Sequence, residues 1–120
     1  MTDFKDLVTR YLTVWNTGDQ ADRAALVQIV FTEDVRYVDP LADTGGHAGM
    51  VELVDGVRAM FPGLEFRPSG IVDGHHDVVR FGWQLGPAEG EPLAVGFDVA
   101  RLAEDGRIRS VYGFLDKAPG

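Results

Sequence analysis

The sequence predicts an α+β fold, with helices packed on one face of a strongly curved antiparallel sheet. Three observations carry that prediction. Apolar residues recur at spacings of three and four in three stretches of the first 61 residues. After Pro62-Gly63 the pattern changes to period two. The later apolar runs are separated by short turn signals, so hairpins rather than crossovers join them.

The elements follow in order. Phe4, Leu7, Val8, Tyr11, Val14 and Trp15 form one stripe of a helix, which Thr2 or Asp3 can cap and Asn16-Thr17-Gly18 stops. Residues 20–31 make a second, shorter helix ending in Leu26, Val27, Ile29, Val30 and Phe31. Thr32-Glu33-Asp34 reads as a polar break. Val35 to Val38 is a short strand closed by Asp39-Pro40, because proline has no donor and holds the preceding residue extended. Leu41–Gly49 reads as a Gly-rich loop, and a third helix covers roughly residues 48–61. Leu64–Phe66 and Ile71-Val72 suggest one strand, bent or bulged at Pro68 and Gly70. Asp73–Asp77 is a turn. Val79, Phe81, Trp83 and Leu85 alternate with polar residues or glycine as a clear strand. Leu93–Leu102 and Arg107–Leu115 are the last two strands, joined by Glu104-Asp105-Gly106. On the last strand Ile108, Ser110, Tyr112 and Phe114 fall on one face and Val111, Gly113 and Leu115 on the other.

Composition removes several function classes. The chain has 120 residues, enough for one domain with a real core, and the whole of 1–120 reads as a single domain. It has no cysteine, so a disulfide scaffold, a thiolate metal site and a cysteine nucleophile are excluded. Lys plus Arg total 11 against 19 Asp plus Glu, a net charge of −8. The acids are spread over both halves, which describes a solvated surface and argues against nucleic acid as a partner. No apolar run is long enough to span a membrane, and the N-terminus shows no signal-peptide pattern, so a cytoplasmic location is expected.

Candidate chemistry lies in polar residues on apolar faces, since a curved sheet wrapped on helices leaves a conical cavity at its open end. Tyr11 lies on the apolar stripe of the first helix, where an ordinary core tyrosine is the plainer reading. Asp39 ends a strand beside a proline, where a turn former is the plainer reading. Asp98 is less ordinary. It shares a face with Ala94, Gly96, Ala100 and Leu102, and a carboxyl among small apolar residues must pair, neutralise or be exposed. Trp15, Val54, Phe61, Val79, Phe81, Trp83, Val111 and Leu115 are expected to line the cavity, with His47 at its mouth. His75 and His76 are adjacent and point apart, no HxH or HxxxH spacing occurs, and no metal site is expected. Arg80 faces away from Phe81 and Trp83, toward a carboxylate across the sheet or at a subunit contact. No phosphate loop or nucleophile elbow is present.

These elements and motifs resemble the nuclear transport factor 2-like superfamily, whose small bacterial members are called SnoaL-like proteins. The resemblance covers nearly the whole chain. It rests on Arg10 to Asp19, Tyr37-Val38-Asp39-Pro40-Leu41, Arg80-Phe81-Gly82-Trp83 and Val111 to Asp116. It implies a cone-shaped α+β barrel of three helices on a strongly curved antiparallel or mixed sheet. Within the superfamily, Tyr11, Asp39 and Asp98 are most similar to the polar positions of ketosteroid isomerases. That similarity implies a cofactor-independent reaction. Asp39 would move a proton α to a carbonyl, while Tyr11 and a neutral Asp98 would donate hydrogen bonds to the enolate oxygen. A polyketide-cyclase-like use of the carboxylates is equally permitted, and the Arg-x-Asp pair of epoxide hydrolases with this fold is missing around Arg80.

Two other readings stand beside the enzyme. One is a binding module that holds a hydrophobic small molecule without turnover, with Trp15, Phe81 and Trp83 as the working residues. The other is a homodimer through the outer sheet face, where Tyr112 and Phe114 lie beside Phe97 and Val99. A dimer is compatible with either function.

Overall fold

A computed structural model describes residues 2–119. Helix α1 spans Phe4–Asn16, α2 Gln20–Val30, and α3 Gly46–Met60. The strands are β1 Phe31–Val38, β2 Asp43–Gly45, β3 Glu65–His75, β4 Val78–Gly86, β5 Ala94–Leu102 and β6 Ile108–Lys117. They form one open, six-stranded sheet in the order β2-β1-β6-β5-β4-β3. The β3 to β6 hairpins make the meander that the sequence predicts. The pairing of β1 with β6 is parallel, which makes the sheet mixed.

The helix ends obey local chemistry. Asp3 and Asp19 each accept a backbone N–H three residues on, Asp6 and Asp22 respectively, at 3.0 Å. Each satisfies one donor that the first turn cannot pair internally. Leu7, Val8, Tyr11, Leu12, Val14 and Trp15 of α1 are buried, so the apolar stripe is the face laid on the sheet.

Interruptions in the sheet ladder supply the curvature. The register shifts between Ser69 and Val72 of β3, at the expected bend, where Gly70 takes φ +78°. It shifts again at both ends of the β5–β6 pair and between Phe31 and Arg36 of β1. An extra residue on one strand bends it and increases the local twist.

Four details depart from the sequence reading, each through pairing with a distant segment. Phe31 does not end α2: it is fully buried and opens β1. Thr32-Glu33-Asp34 is not a break, because β1 runs through it and the bulge absorbs the polar triplet. The Thr32 hydroxyl donates to the Asp34 carboxylate at 2.9 Å. The Gly-rich loop contains a short strand, β2, held by Val38↔Asp43 to Arg36↔Gly45. On β6, Ser110 shares a face with Tyr112 and Phe114 as expected, but Ile108 does not. The shift opposite Arg101 and Leu102 turns Ile108 into the core, while Tyr112 and Phe114 stay exposed. A one-residue slip reverses every side chain beyond it.

Two polar fasteners join the layers, and neither is evident from local pattern. The Asn16 amide donates to the Phe66 carbonyl at 2.8 Å and accepts its N–H at 2.7 Å, so one side chain stands in for a strand partner at the start of β3. Arg23 of α2 is 4 % exposed. Its guanidinium meets Asp55 of α3 at 2.9 Å and donates to the carbonyls of Thr17 and Gly18 at 2.8 and 3.0 Å. Arg23→Ala leaves three buried or half-buried acceptors unpaired. It is expected to lower stability by about 2 kcal/mol in urea unfolding, hydrogen bonds to charged groups contributing about 1.5–3 kcal/mol each before relaxation. A loss under about 0.5 kcal/mol, the size of an ordinary surface change, would count against this role.

Candidate functional site

Period two places Tyr37 and Asp39 on the same face of the chain at the end of β1, and that face is the concave one. Parallel register aligns Tyr37 with Val111 and Val38 with Tyr112, so Asp39 comes level with Gly113 of β6. Antiparallel register pairs Gly113 with Asp98 of β5, and Asp98 with Phe81 of β4. One row across the sheet therefore reads Asp39, Gly113, Asp98, Phe81. A methyl group built on Gly113 would lie 2.7 Å from Oδ1 of Asp98 and 3.2 Å from Cβ of Asp39. The two carboxyl side chains thus meet over a glycine, and any larger residue there would push them apart.

Each carboxyl has its own tyrosine. The Tyr11 hydroxyl, reaching across from α1, donates to Oδ2 of Asp98 at 3.0 Å. The Tyr37 hydroxyl donates to Oδ2 of Asp39 at 2.7 Å. Oδ1 of Asp39 accepts the N–H groups of Leu41 and Ala42, both at 2.8 Å. The Asp39 N–H donates to the Ala42 carbonyl at 2.9 Å, closing the turn that Pro40 begins. Asp39 is half-buried, whereas Asp98 is 3 % exposed.

That difference in burial divides the electrostatics. Burial pushes the Asp98 carboxyl up to about 7, against the opposing pull of Tyr11 and of the Trp83 indole, and the Asp39 carboxyl pushes the same way as burial. Burial and the nearby Asp98 likewise raise both phenols well above the usual tyrosine range. Both tyrosines are therefore held as donors. A half-exposed carboxyl that accepts three hydrogen bonds stands beside a buried one that titrates near neutrality. Two carboxyls in unlike environments are the arrangement that separates a base from an acid.

Tyr11 and Asp98 do not stand side by side as two independent donors. The Tyr11 proton is directed at Oδ2 of Asp98, and Oδ1 of Asp98 lies over Gly113. The surrounding wall is aromatic. The Tyr11 ring packs on Phe81 at 5.3 Å, Phe31 at 6.0 Å and Trp15 at 6.1 Å between centroids. Trp15, Phe66 and Trp83 continue it in edge and tilted contacts. The Trp15 indole N–H is buried with no hydrogen-bond partner.

The remaining predicted residues distribute unevenly. Val54, Val79, Phe81 and Val111 lie in the continuous core with Tyr11. Trp83 and Leu115 are partly buried, and Phe61 is the partly buried cap of α3. His47 is elsewhere. Its Nε2 sits 2.9 Å from the Phe31 carbonyl, and it lines a groove between α2 and α3 with Ala24, Gln28, Val51 and Glu52. His75 and His76 are exposed at the β3–β4 hairpin, where His76 takes φ +51°. Among the described residues no group of three His, Asp or Glu side chains is arranged to hold a metal ion. Arg80 pairs with Asp73 across β3 and β4 at 3.4 Å, at the surface and apart from Asp98. Tyr37 is the site residue that sequence reasoning passed over. Its signal was present, since it stands two residues before Asp39 on a period-two strand.

Fold and site together define a small α+β cone protein with a carboxyl pair and two tyrosines at the concave face of its sheet. Residues 8–111 match the SnoaL-like domain, and the chain belongs to the SnoaL-like family. A proposed isomerase of that family from Agrobacterium tumefaciens shares 40 % identity, with a TM-score of 0.90 over 97 % of this chain and 99 % of that one. An NTF2-like protein of unknown function from Exiguobacterium shares 21 % identity, with a TM-score of 0.72 over 92 % and 98 % of the two chains. A proposed polyketide cyclase from Sinorhizobium meliloti shares 16 % identity, with a TM-score of 0.70 over 90 % and 93 %. The last two show a common fold. No curated protein matches the sequence.

Proposed function

We propose that this protein is a cofactor-independent isomerase- or cyclase-like enzyme that enolises a hydrophobic carbonyl compound. The observation that carries the reading is the meeting of Asp39 and Asp98 over Gly113, one half-exposed and one buried, each with its own tyrosine. Its family membership and its likeness to a proposed isomerase support an isomerase- or cyclase-like role in general.

In this reading the substrate oxygen lies beside Oδ1 of Asp98. Asp39 takes a proton from the α-carbon, the C–H electrons move into the new C=C bond, and the carbonyl π pair moves onto oxygen. Neutral Asp98, its Oδ2 held by Tyr11, donates to that oxygen as negative charge develops. Asp39 then returns the proton to the same or a conjugated carbon, and no atom is gained or lost. Fixed donors aimed at developing charge act most strongly where water is excluded, and an acid near neutrality suits proton transfer at neutral pH. The test is deuterium exchange at the α-carbons of 2-tetralone, followed by proton NMR in D2O. Exchange well above the buffer rate is expected. Exchange at the buffer rate, for this ketone and for 1,3-diketones, sinks the proposal.

The protein is also proposed to pair with a second copy through the outer sheet face. There Phe97 and Phe114 stack at 5.0 Å between centroids and, with Tyr112, stay exposed. Sedimentation at micromolar concentration is expected to show a dimer that Phe114→Asp dissociates. A wild-type monomer contradicts it.

A further inference from the structure

The carboxylate of Asp39 is gripped on both oxygens. Two backbone N–H groups occupy Oδ1, and Tyr37 occupies one lone pair of Oδ2. One strong acceptor site on Oδ2 therefore remains for a substrate proton. We propose that Tyr37 is a positioning residue: its hydroxyl fixes the plane of the Asp39 carboxylate and so directs the remaining Oδ2 lone pair. The role rests on Asp39 acting as the base.

Tyr37 is built to hold still. Its backbone is paired on both sides, with Thr44 of β2 and Val111 of β6. Tyr37 is 5 % exposed, and its ring packs on Trp15 at 5.8 Å between centroids. Burial, Asp98 and Asp39 all raise its phenol, so it keeps its proton and remains a donor across the physiological range. A backbone turn alone would leave the carboxylate free to swing about the Oδ1 contacts. The tyrosine supplies the second fixed point. The groups facing Asp39 are Tyr37 from β1 and Asp98 from β5, with Tyr11 of α1 behind Asp98. The facing residue of β6 is Gly113, and Asp43 of β2 is turned toward Arg36.

The test is Tyr37→Phe, which keeps the ring and removes the donor. Carbon-detected NMR of the Asp39 carboxyl, with no substrate present, is expected to show its resonance shift and broaden as the carboxylate loses its second fixed point. With 2-tetralone, kcat for exchange is expected to fall about tenfold with KM changed less than twofold. Loss of packing would not give that split, since phenylalanine retains the ring. In the wild type, the Tyr37 hydroxyl proton should shift as Asp39 titrates, a readout that needs no variant. A wild-type enzyme that exchanges 2-tetralone, with the Asp39 carboxyl resonance and kcat unchanged in Tyr37→Phe, overturns the role of Tyr37 alone. A hydroxyl resonance indifferent to Asp39 does the same. Failure of the wild type to exchange any ketone removes the base and the positioning role together.

Discussion

Asp39→Asn is expected to slow deuterium exchange of a bound ketone by about 10²–10⁴-fold, the usual contribution of a positioned general base. Asparagine retains an oxygen for the N–H groups of Leu41 and Ala42, which hold the turn at 2.8 Å. Its amide nitrogen then faces the Tyr37 hydroxyl, which can rotate to accept. The thermal midpoint should therefore change little while the basic lone pair disappears. Ligand affinity, measured by quenching of Trp15 and Trp83 fluorescence, should stay within a few fold. Unchanged exchange in a folded variant would exclude Asp39 as the base.

The second large effect concerns stability. Asp98 titrates near 7 in the folded protein because burial disfavours its charge, whereas an unfolded aspartate titrates near about 3.9. Between those values the folded chain binds more protons than the unfolded one. The Asp98 contribution to stability therefore falls as pH rises from about 4 to about 7, and levels off above. At about 1.4 kcal/mol per pKa unit the loss amounts to a few kcal/mol. Asp98→Asn removes the titration while its oxygen still accepts from Tyr11. The variant is expected to match the wild type near pH 4 and to exceed its stability by a few kcal/mol at pH 8 in urea unfolding. A wild-type to variant difference that does not vary with pH would contradict the buried carboxyl. The same titration predicts that exchange activity declines above pH 7, as Asp98 loses the proton it donates.

The two experiments separate fold from function. Asp98 is a cost to the fold at high pH and a candidate donor at low pH. A buried carboxyl of this kind is the sort of local conflict that marks functional sites.

Much of the molecule was legible locally. The α1 stripe, the capping Asp3, the strand from Val79 to Leu85 and the Asp105-Gly106 turn all depend on residues within one turn or hairpin of each other. Asp98 stood out for the same reason: a carboxyl in phase with Ala94, Gly96, Ala100 and Leu102 violates a period-two apolar face. Where the reading slipped, the cause was distant pairing. The polar triplet Thr32-Glu33-Asp34 stays in a strand because β6 lies beside it, and Ile108 turns inward because a bulge against β5 shifts the register.

The sequence by itself determined the three helices, five of the six strands, their order and the polar side chains Tyr11 and Asp98 on inward faces, because side-chain period and turn chemistry are properties of neighbouring residues. Only the tertiary structure decided that Asp39 and Asp98 share a site. They lie 59 positions apart in the chain, and their meeting depends on the parallel register of β1 with β6 and the antiparallel register of β6 with β5. It also depends on a glycine, Gly113, standing where those two registers cross. The assignment of Tyr11 to Asp98 and Tyr37 to Asp39 was settled the same way. Hydrogen-bond partners are chosen by distances of about 3 Å, and those are set by packing three strands and a helix together.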